Sequence, residues 1–280
     1  MSLEYKIGEY LISTLHEHPS AQKNPSEIWP DVPQKSWDPF RNFALLENGM
    51  VQSIWRGHLI RKATGEGQNV LVDTGMGPGP HDHTGKPGEL IKSIEKIGLD
   101  PEQIDAVVIT HCHGDHIGWN VTWDDDSPKA TFPNAKYYVA ADDWNFYSSL
   151  DTKIEAFEKS IRPLEALGVL ELVVGEREIV PGVRTLPTKG HTPGHQCVLV
   201  QSEGKTGVVT GDLFHNVAQI TEQEWCPVFD WRTDLSTASR RWLLWRAQTE
   251  GWVIFSGHLA TGKSIGLIID KDGKPVWGPV

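Results

Sequence analysis

The stretch Thr110-His111-Cys112-His113-Gly114-Asp115-His116-Ile117-Gly118-Trp119-Asn120 sets three imidazoles and a carboxylate within the six positions from His111 to His116. Neutral imidazole and carboxylate are the groups that zinc and similar divalent cations accept as ligands. Histidine-rich loops can also be merely solvated. Here, however, the run follows the apolar segment Ala106-Val107-Val108-Ile109, which reads as a buried β-strand able to hold ligand geometry. Cys112 lies between two of the histidines, and alternation along a turn points it away from them, so it reads as a small packing residue.

Three later places repeat the pattern of an apolar strand running into a ligand-type residue beside glycine. They are Gly190-His191-Thr192-Pro193-Gly194-His195, Thr210-Gly211-Asp212 and Ser256-Gly257-His258. Glycine beside a ligand lets the chain turn sharply, so a loop can approach an ion closely.

His-x-His-x-Asp-His followed by these three segments, in this order, resembles the metallo-β-lactamase superfamily from about Val51 to His258. That resemblance implies a four-layer αββα sandwich of the mixed α/β class. It implies one ion held by His111, His113 and His191, a second held by Asp115, His116 and His258, and Asp212 between them. Zinc is the expected metal, with iron, manganese or cobalt able to take the same ligands. His195 is then a supporting residue rather than a ligand. Asp73, in Asp73-Thr74-Gly75, matches the family's structural aspartate that orients a ligand or its loop.

The resemblance also separates branches of the superfamily. True β-lactamases generally carry cysteine or serine at the bridging position, where Asp212 stands. Diiron oxidoreductases tend to carry glutamate at the second ligand of the opening motif and to lack its final histidine, where His113 and His116 stand here. Glyoxalase-type thioesterases share the ligands, but no basic cluster for glutathione is evident near the carboxyl terminus. The quorum-quenching lactonases and the methyl-parathion-hydrolase-like branch remain, the latter resembling Val180-Pro181-Gly182-Val183, Gly211-Asp212-Leu213, Val217-Ala218-Gln219 and Gly257-His258-Leu259. The expected activity is therefore lactone opening or carboxyl-ester cleavage by a metal-bound hydroxide. The alternatives are a phosphotriesterase, a glyoxalase-like thioesterase, an iron-dependent thiol or persulfide oxygenase, and a ligand-binding module without turnover.

Asp115 and His215 are the expected catalytic residues. Bacillus-type lactonases place a tyrosine three residues past the bridging aspartate, where this chain has His215, and a histidine there can also donate to a carbonyl or leaving group. Among 12 tryptophans, Trp119, Trp144, Trp225 and Trp231 fall near the motifs. An aromatic pocket suits a small, largely apolar, neutral ester or lactone. Trp144 and Tyr147 are the expected substrate-binding residues.

The elements that must position these groups alternate between strand and helix. Strands are expected at Val51–Trp55, Asn69–Val72 and Ala106–Ile109, with a helix over Pro87–Leu99. A strand and helix follow over Lys136–Leu150, then a helix over Ile154–Leu167 that Pro163 can kink. The second half repeats this grammar, with strands near Leu170–Val174, Val183–Leu186, Cys197–Gln201, Val208–Thr210 and Val253–Phe255 and a helix over Ser236–Gln248. Residues 1–45 are expected to form an arm or lid on a single hydrolase domain, residues 46–280, because Pro19 to Phe40 shows little periodicity.

Composition bounds the partners. A chain of 280 residues with 39% hydrophobic and 22% charged residues can bury a large core. Acidic residues exceed basic ones by 37 to 26, a net charge of -11, which opposes nucleic-acid binding. No apolar run is long enough to span a bilayer, and three cysteines do not form a disulfide framework, so a reducing cytoplasm is the expected setting. A homodimer is compatible with all of this.

Overall fold

The computed structural model describes residues 3–81 and 84–280. Strands β1 (Leu3–Ile7), β2 (Tyr10–Lys23), β3 (Val51–Lys62), β4 (Val70–Val72) and β5 (Ala106–Val108) begin one sheet. A separate hairpin, β6 (Val121–Asp124) and β7 (Ser127–Ala130), follows before β8 (Lys136–Ala140) and β9 (Leu170–Val173) complete that sheet in the order β1-β2-β3-β4-β5-β8-β9. The second sheet keeps sequence order: β10 (Glu178–Val180), β11 (Val183–Pro187), β12 (Gln196–Ser202), β13 (Lys205–Val209), β14 (Val253–Phe255), β15 (Ile265–Lys271) and β16 (Lys274–Gly278).

Valine, isoleucine and phenylalanine side chains from both sheets pack together, among them Ile60, Val72, Val108, Val198, Val209 and Phe255. This shared layer explains why β4, β5, β13 and β14 read as short continuous apolar runs. The outer face of the first sheet is covered by helices Leu90–Lys96, Ala141–Ser149, Glu155–Ser160 and Arg162–Ala166 around Leu71, Val107, Tyr137 and Phe157. The outer face of the second carries helices Ala218–Thr221 and Thr233–Glu250 around Leu199, Leu213, Leu243 and Trp252. The result is the expected four-layer αββα arrangement.

Two expectations about elements need correction. The first is the arm: Leu3–Lys23 form β1 and β2, integral strands of the first sheet, with β2 paired to β3 along its length. Buried polar residues Ser13, Thr14, Glu17 and His18 obscure its pattern, and register shifts near His18 interrupt the alternation. Only the stretch after Lys23 departs from the sheets, and its Ile28, Trp29, Trp37 and Phe40 pack into the core outside the second sheet. The second is the helix expected over Ile154–Leu167, which is divided at Ile161 into Glu155–Ser160 and Arg162–Ala166. Pro163 lacks an amide proton and is tolerated because it sits in the first turn of the new helix.

Candidate active site

The parallel pairs β4–β5 and β13–β14 send their following segments out on shared edges. Asp73 follows β4, the His111 to His116 run follows β5, Asp212 follows β13 and His258 follows β14, while His191 lies in the β11–β12 loop. Four short strands thus deliver residues distant in sequence to one place.

The side chains converge in two groups. His113 Nδ1 lies 3.1 Å from His111 Nε2 and 3.0 Å from His191 Nε2, and Asp212 Oδ2 is 3.6 Å and 3.2 Å from those same Nε2 atoms. In the second group His116 Nε2 and His258 Nε2 are 3.2 Å apart, each 3.8 Å from Asp115 Oδ2. Asp212 Oδ1 lies 3.0 Å from His116 Nε2 and 2.9 Å from His258 Nε2, yet without hydrogen-bond geometry to either. One oxygen of Asp212 therefore faces each group. Burial alone would raise its carboxyl, but His116, His258, His111 and His215 hold it well below the usual carboxylate range.

The outward nitrogen of each ring is held by a partner of its own. His116 Nδ1 donates to Asp73 Oδ2 at 2.8 Å, His191 Nδ1 to Asp230 Oδ1 at 2.8 Å and His258 Nδ1 to the Ile54 carbonyl at 2.6 Å. Thr110 Oγ1 donates to Asp73 Oδ2 at 2.8 Å, so it accepts from His111 Nδ1 at 3.1 Å. Each of these four rings therefore turns its Nδ1 proton outward and aims Nε2 inward; the facing carboxylates, Asp212 above all, raise His116, His191 and His258 despite their burial, and an ion would take the place of those Nε2 protons. Five imidazoles and two carboxylates converging in this way fit divalent cations.

The support extends one layer further. His195 lies outside both groups: its Nδ1 donates to Thr188 O at 3.0 Å, and its Nε2 accepts from the Asp212 amide at 3.0 Å. Burial pushes it down to about 3, which keeps it neutral for that acceptor role. Asp73 also accepts from the Thr110 amide at 2.7 Å, and its backbone takes the left-handed region with φ 60°. Sequence reasoning missed Asp143 and Asp230. The buried Asp143 ties the two histidine loops together by accepting from Cys112 N (2.9 Å), Gly194 N (2.6 Å) and Thr192 Oγ1 (2.9 Å). It also missed a tripeptide of β3: besides the Ile54 carbonyl, Trp55 Nε1 donates to Asp115 Oδ2 at 3.0 Å, and Arg56 Nη1 donates to Leu259 O at 2.7 Å.

A cavity of about 360 Å³ opens over the cluster. His113, Asp115, Asp212, His215 and His258 form its polar side, and Ile28, Trp29, Val51, Trp55 and Phe229 its apolar walls. His215 stands where its Nε2 reaches Asp212 Oδ2 at 3.0 Å, with its ring stacked on His258 at 5.1 Å. Trp144 and Tyr147 are not among the lining residues, which corrects the expected substrate-binding pair. Both are buried under the first sheet, Tyr147 stacked on Phe157 and Trp144 between Phe157 and the Arg162 guanidinium. They occupy the inward face of their helix, so the apolar walls come instead from the segment after β2, from β3 and from the loop bearing Phe229.

Beneath the Asp73-Thr74-Gly75 turn lies Glu17, a buried carboxyl with no basic partner among the described residues. Its Oε1 accepts from Trp119 Nε1 at 3.2 Å and its Oε2 has no partner among the described residues. Gly75, at φ 63°, is required here because a Cβ would collide with the Glu17 side chain. Burial pushes the Glu17 carboxyl up to about 7 from 4.5. The unfolded chain thus loses this proton near 4.5 while the folded chain keeps it to about 7, so its contribution to stability falls as pH rises through that window. Glu17→Gln should accordingly gain stability relative to the parent between about pH 5 and about pH 8, by up to about 3 kcal/mol. Thermal melts at the two pH values check this, and an unchanged gap would mean that Glu17 is ionised throughout.

The sequence matches the metallo-beta-lactamase superfamily over residues 58–258. An N-acyl homoserine lactonase of a Bacillus species is 26% identical over 205 residues, covering 68% of this chain and 76% of that protein. A ribonuclease of Thermus thermophilus is 29% identical over 161 residues, but these span only 33% of its length. Among solved structures, a "hydrolase AbOPH in beta lactamase superfamily" superposes with a TM-score of 0.83 at 25% identity, covering 100% of this chain and 97% of that one. AidC, described as a dizinc quorum-quenching lactonase in complex with the product N-hexnoyl-L-homoserine, gives 0.81 at 22% identity with the same coverage, a likeness of fold. No helix among the described residues is long and apolar enough to cross a membrane. The matched span opens on His58 and closes on His258, so it holds every member of the converging histidine and aspartate cluster, and the chain belongs to the metallo-β-lactamase superfamily as one of its metal-dependent hydrolases.

Proposed function

We propose that the protein is a dinuclear metal hydrolase that opens a lactone or cleaves a carboxyl ester. The carrying observation is Asp212, whose two oxygens face two separate ligand groups at the floor of an apolar-walled cavity. His111, His113 and His191 would hold one ion, Asp115, His116 and His258 the other, and Asp212 both. Zinc is the expected metal, since every proposed ligand is an imidazole or a carboxylate. The ions supply Lewis acidity toward the carbonyl and lower the pKa of water.

The chain's own residues do the rest. Asp73, Asp230, Thr110 and the Ile54 carbonyl hold the rings, and Trp55 holds Asp115 at the cavity wall, where it orients the incoming water. Trp29, Trp55, Val51 and Phe229 enclose the apolar part of the substrate and exclude bulk solvent. Water oxygen bonds to the carbonyl carbon, the acyl carbon–oxygen bond breaks, and one water proton ends on the departing alcohol. At neutral pH the new acid then releases its own proton. The relatives named as N-acyl homoserine lactonases support a lactone with an acyl side chain as the first substrate class to test.

His215 is the group placed to assist the leaving oxygen. Burial pushes its imidazole down to about 4, so it is neutral near pH 7 with a single N–H. That proton points toward Asp212 Oδ2, and once the ions share the carboxylate's charge the same N–H can serve a substrate oxygen. His215→Ala should lower kcat by roughly 10²-fold while both metals stay bound, and His215→Tyr should restore part of the rate. Loss of a metal in His215→Ala would make it a ligand, a role its position beside Asp212 and His258 also permits. The function itself is tested with one metal-loaded preparation against acyl-homoserine lactones, simple lactones, p-nitrophenyl esters and paraoxon-type triesters. Lactones or carboxyl esters should turn over fastest, and a preference for triesters would replace this reading with a phosphotriesterase.

A further inference from the structure

β3 builds two cavities at once. Val51, Ser53 and Trp55 line the cavity over the metal cluster, and the alternate residues Ile54 and Arg56 line a second one of about 250 Å³. The second cavity is also lined by Thr14, His16, Ser20 and Thr261, and no aspartate or glutamate is among its lining residues. Arg56 is the charged side chain among them, since burial lowers His16, which lies 3.6 Å from Glu89 Oε2.

Arg56 is its centre. Nη1 is committed to the turn around His258, donating to Leu259 O at 2.7 Å and reaching Gly257 O at 3.4 Å. Among the described residues no carboxylate pairs with the half-buried guanidinium, and its Nε and Nη2 donors have no protein acceptor. Buried or partly buried guanidinium groups are ordinarily matched by an anion, and the Nε–Nη2 edge is a fork suited to two oxygens of one. Thr14 also lines the cavity, is 4% exposed, and its buried Oγ1 makes no hydrogen bond.

We propose that this cavity binds a small oxoanion, a carboxylate or a phosphate-like ion, on the Nε–Nη2 edge of Arg56, with the hydroxyls of Thr14, Ser20 and Thr261 around it. The bound anion fixes the guanidinium, and the guanidinium fixes the carbonyls on either side of His258. Occupancy therefore tightens whatever ion His258 holds, and by linkage that ion tightens the anion. The binding claim stands on the cavity alone, while the coupling rests on the metal assignment above.

The test is calorimetric titration of the metal-loaded protein with sulfate, alongside the rate of metal loss to a chelator with and without sulfate. Saturable binding and slower loss of one ion are expected. Thr14→Val should weaken sulfate about tenfold without changing turnover in sulfate-free buffer, and Arg56→Gln should abolish binding. Sulfate affinity that neither substitution changes, or sulfate that competes with substrate, would place the anion on the metal centre and overturn the proposal, as would the lack of saturable binding. Binding that needs Arg56 but leaves metal loss unaltered would overturn the coupling. Protein that takes up no metal yet binds sulfate through Arg56 would instead count against the hydrolase assignment alone.

Discussion

Asp212→Ala should reduce hydrolysis on the order of 10³-fold or more, equivalent to about 4 kcal/mol of transition-state stabilisation. Among the described residues, no other side chain puts one oxygen among His111, His113 and His191 and the other beside His116 and His258. Removing it leaves five imidazoles and Asp115 with nothing to fix the distance between the two groups. At least one ion should then be lost or weakly held. His195 grips the Asp212 amide rather than its side chain, so the turn itself should persist and the variant should fold. Steady-state kinetics with elemental analysis of the same preparation check this, and wild-type turnover would remove the bridging assignment.

Chelation should have an equally large effect. Stripping the ions should abolish turnover of every accepted substrate, and zinc should restore it. It should also lower thermal stability, because ions bind only the folded cluster. At an ion concentration 1,000 times the dissociation constant, that linkage amounts to about 4 kcal/mol per site. Activity surviving exhaustive chelation would contradict a metal mechanism.

Much of the fold and most of the cluster were legible in the sequence because its residues follow short apolar strands in segments that carry glycine. His111 to His116, His191, Asp212 and His258 all announce themselves that way. Asp143 could not be distinguished from its neighbour Asp142, since both read as acids in the first turn of a helix. In the structure Asp143 is buried beneath the histidine loops while Asp142 is at the surface pairing with Lys189. Asp230 looked like one polar residue in an aromatic loop, and its value comes wholly from reaching His191 across the fold. Trp144 and Tyr147 mislead because closeness along the chain to the motif is not closeness to the cavity. Their helix turns them inward, and the aromatic walls arrive from Trp29, Trp55 and Phe229 on segments remote in sequence. β2 was hidden because Glu17 and His18 are buried polar residues whose partners lie on other segments, Trp119 for the one and Thr84 for the other.

The central claim is that this chain assembles two metal positions that share Asp212. Anomalous diffraction at the zinc edge from crystals of the zinc-loaded protein tests it directly. Two peaks are expected, one within bonding distance of His111, His113 and His191, the other within bonding distance of Asp115, His116 and His258, with an Asp212 oxygen on each. A single peak in fully loaded, active protein, or two peaks that leave Asp212 unligated, would contradict it.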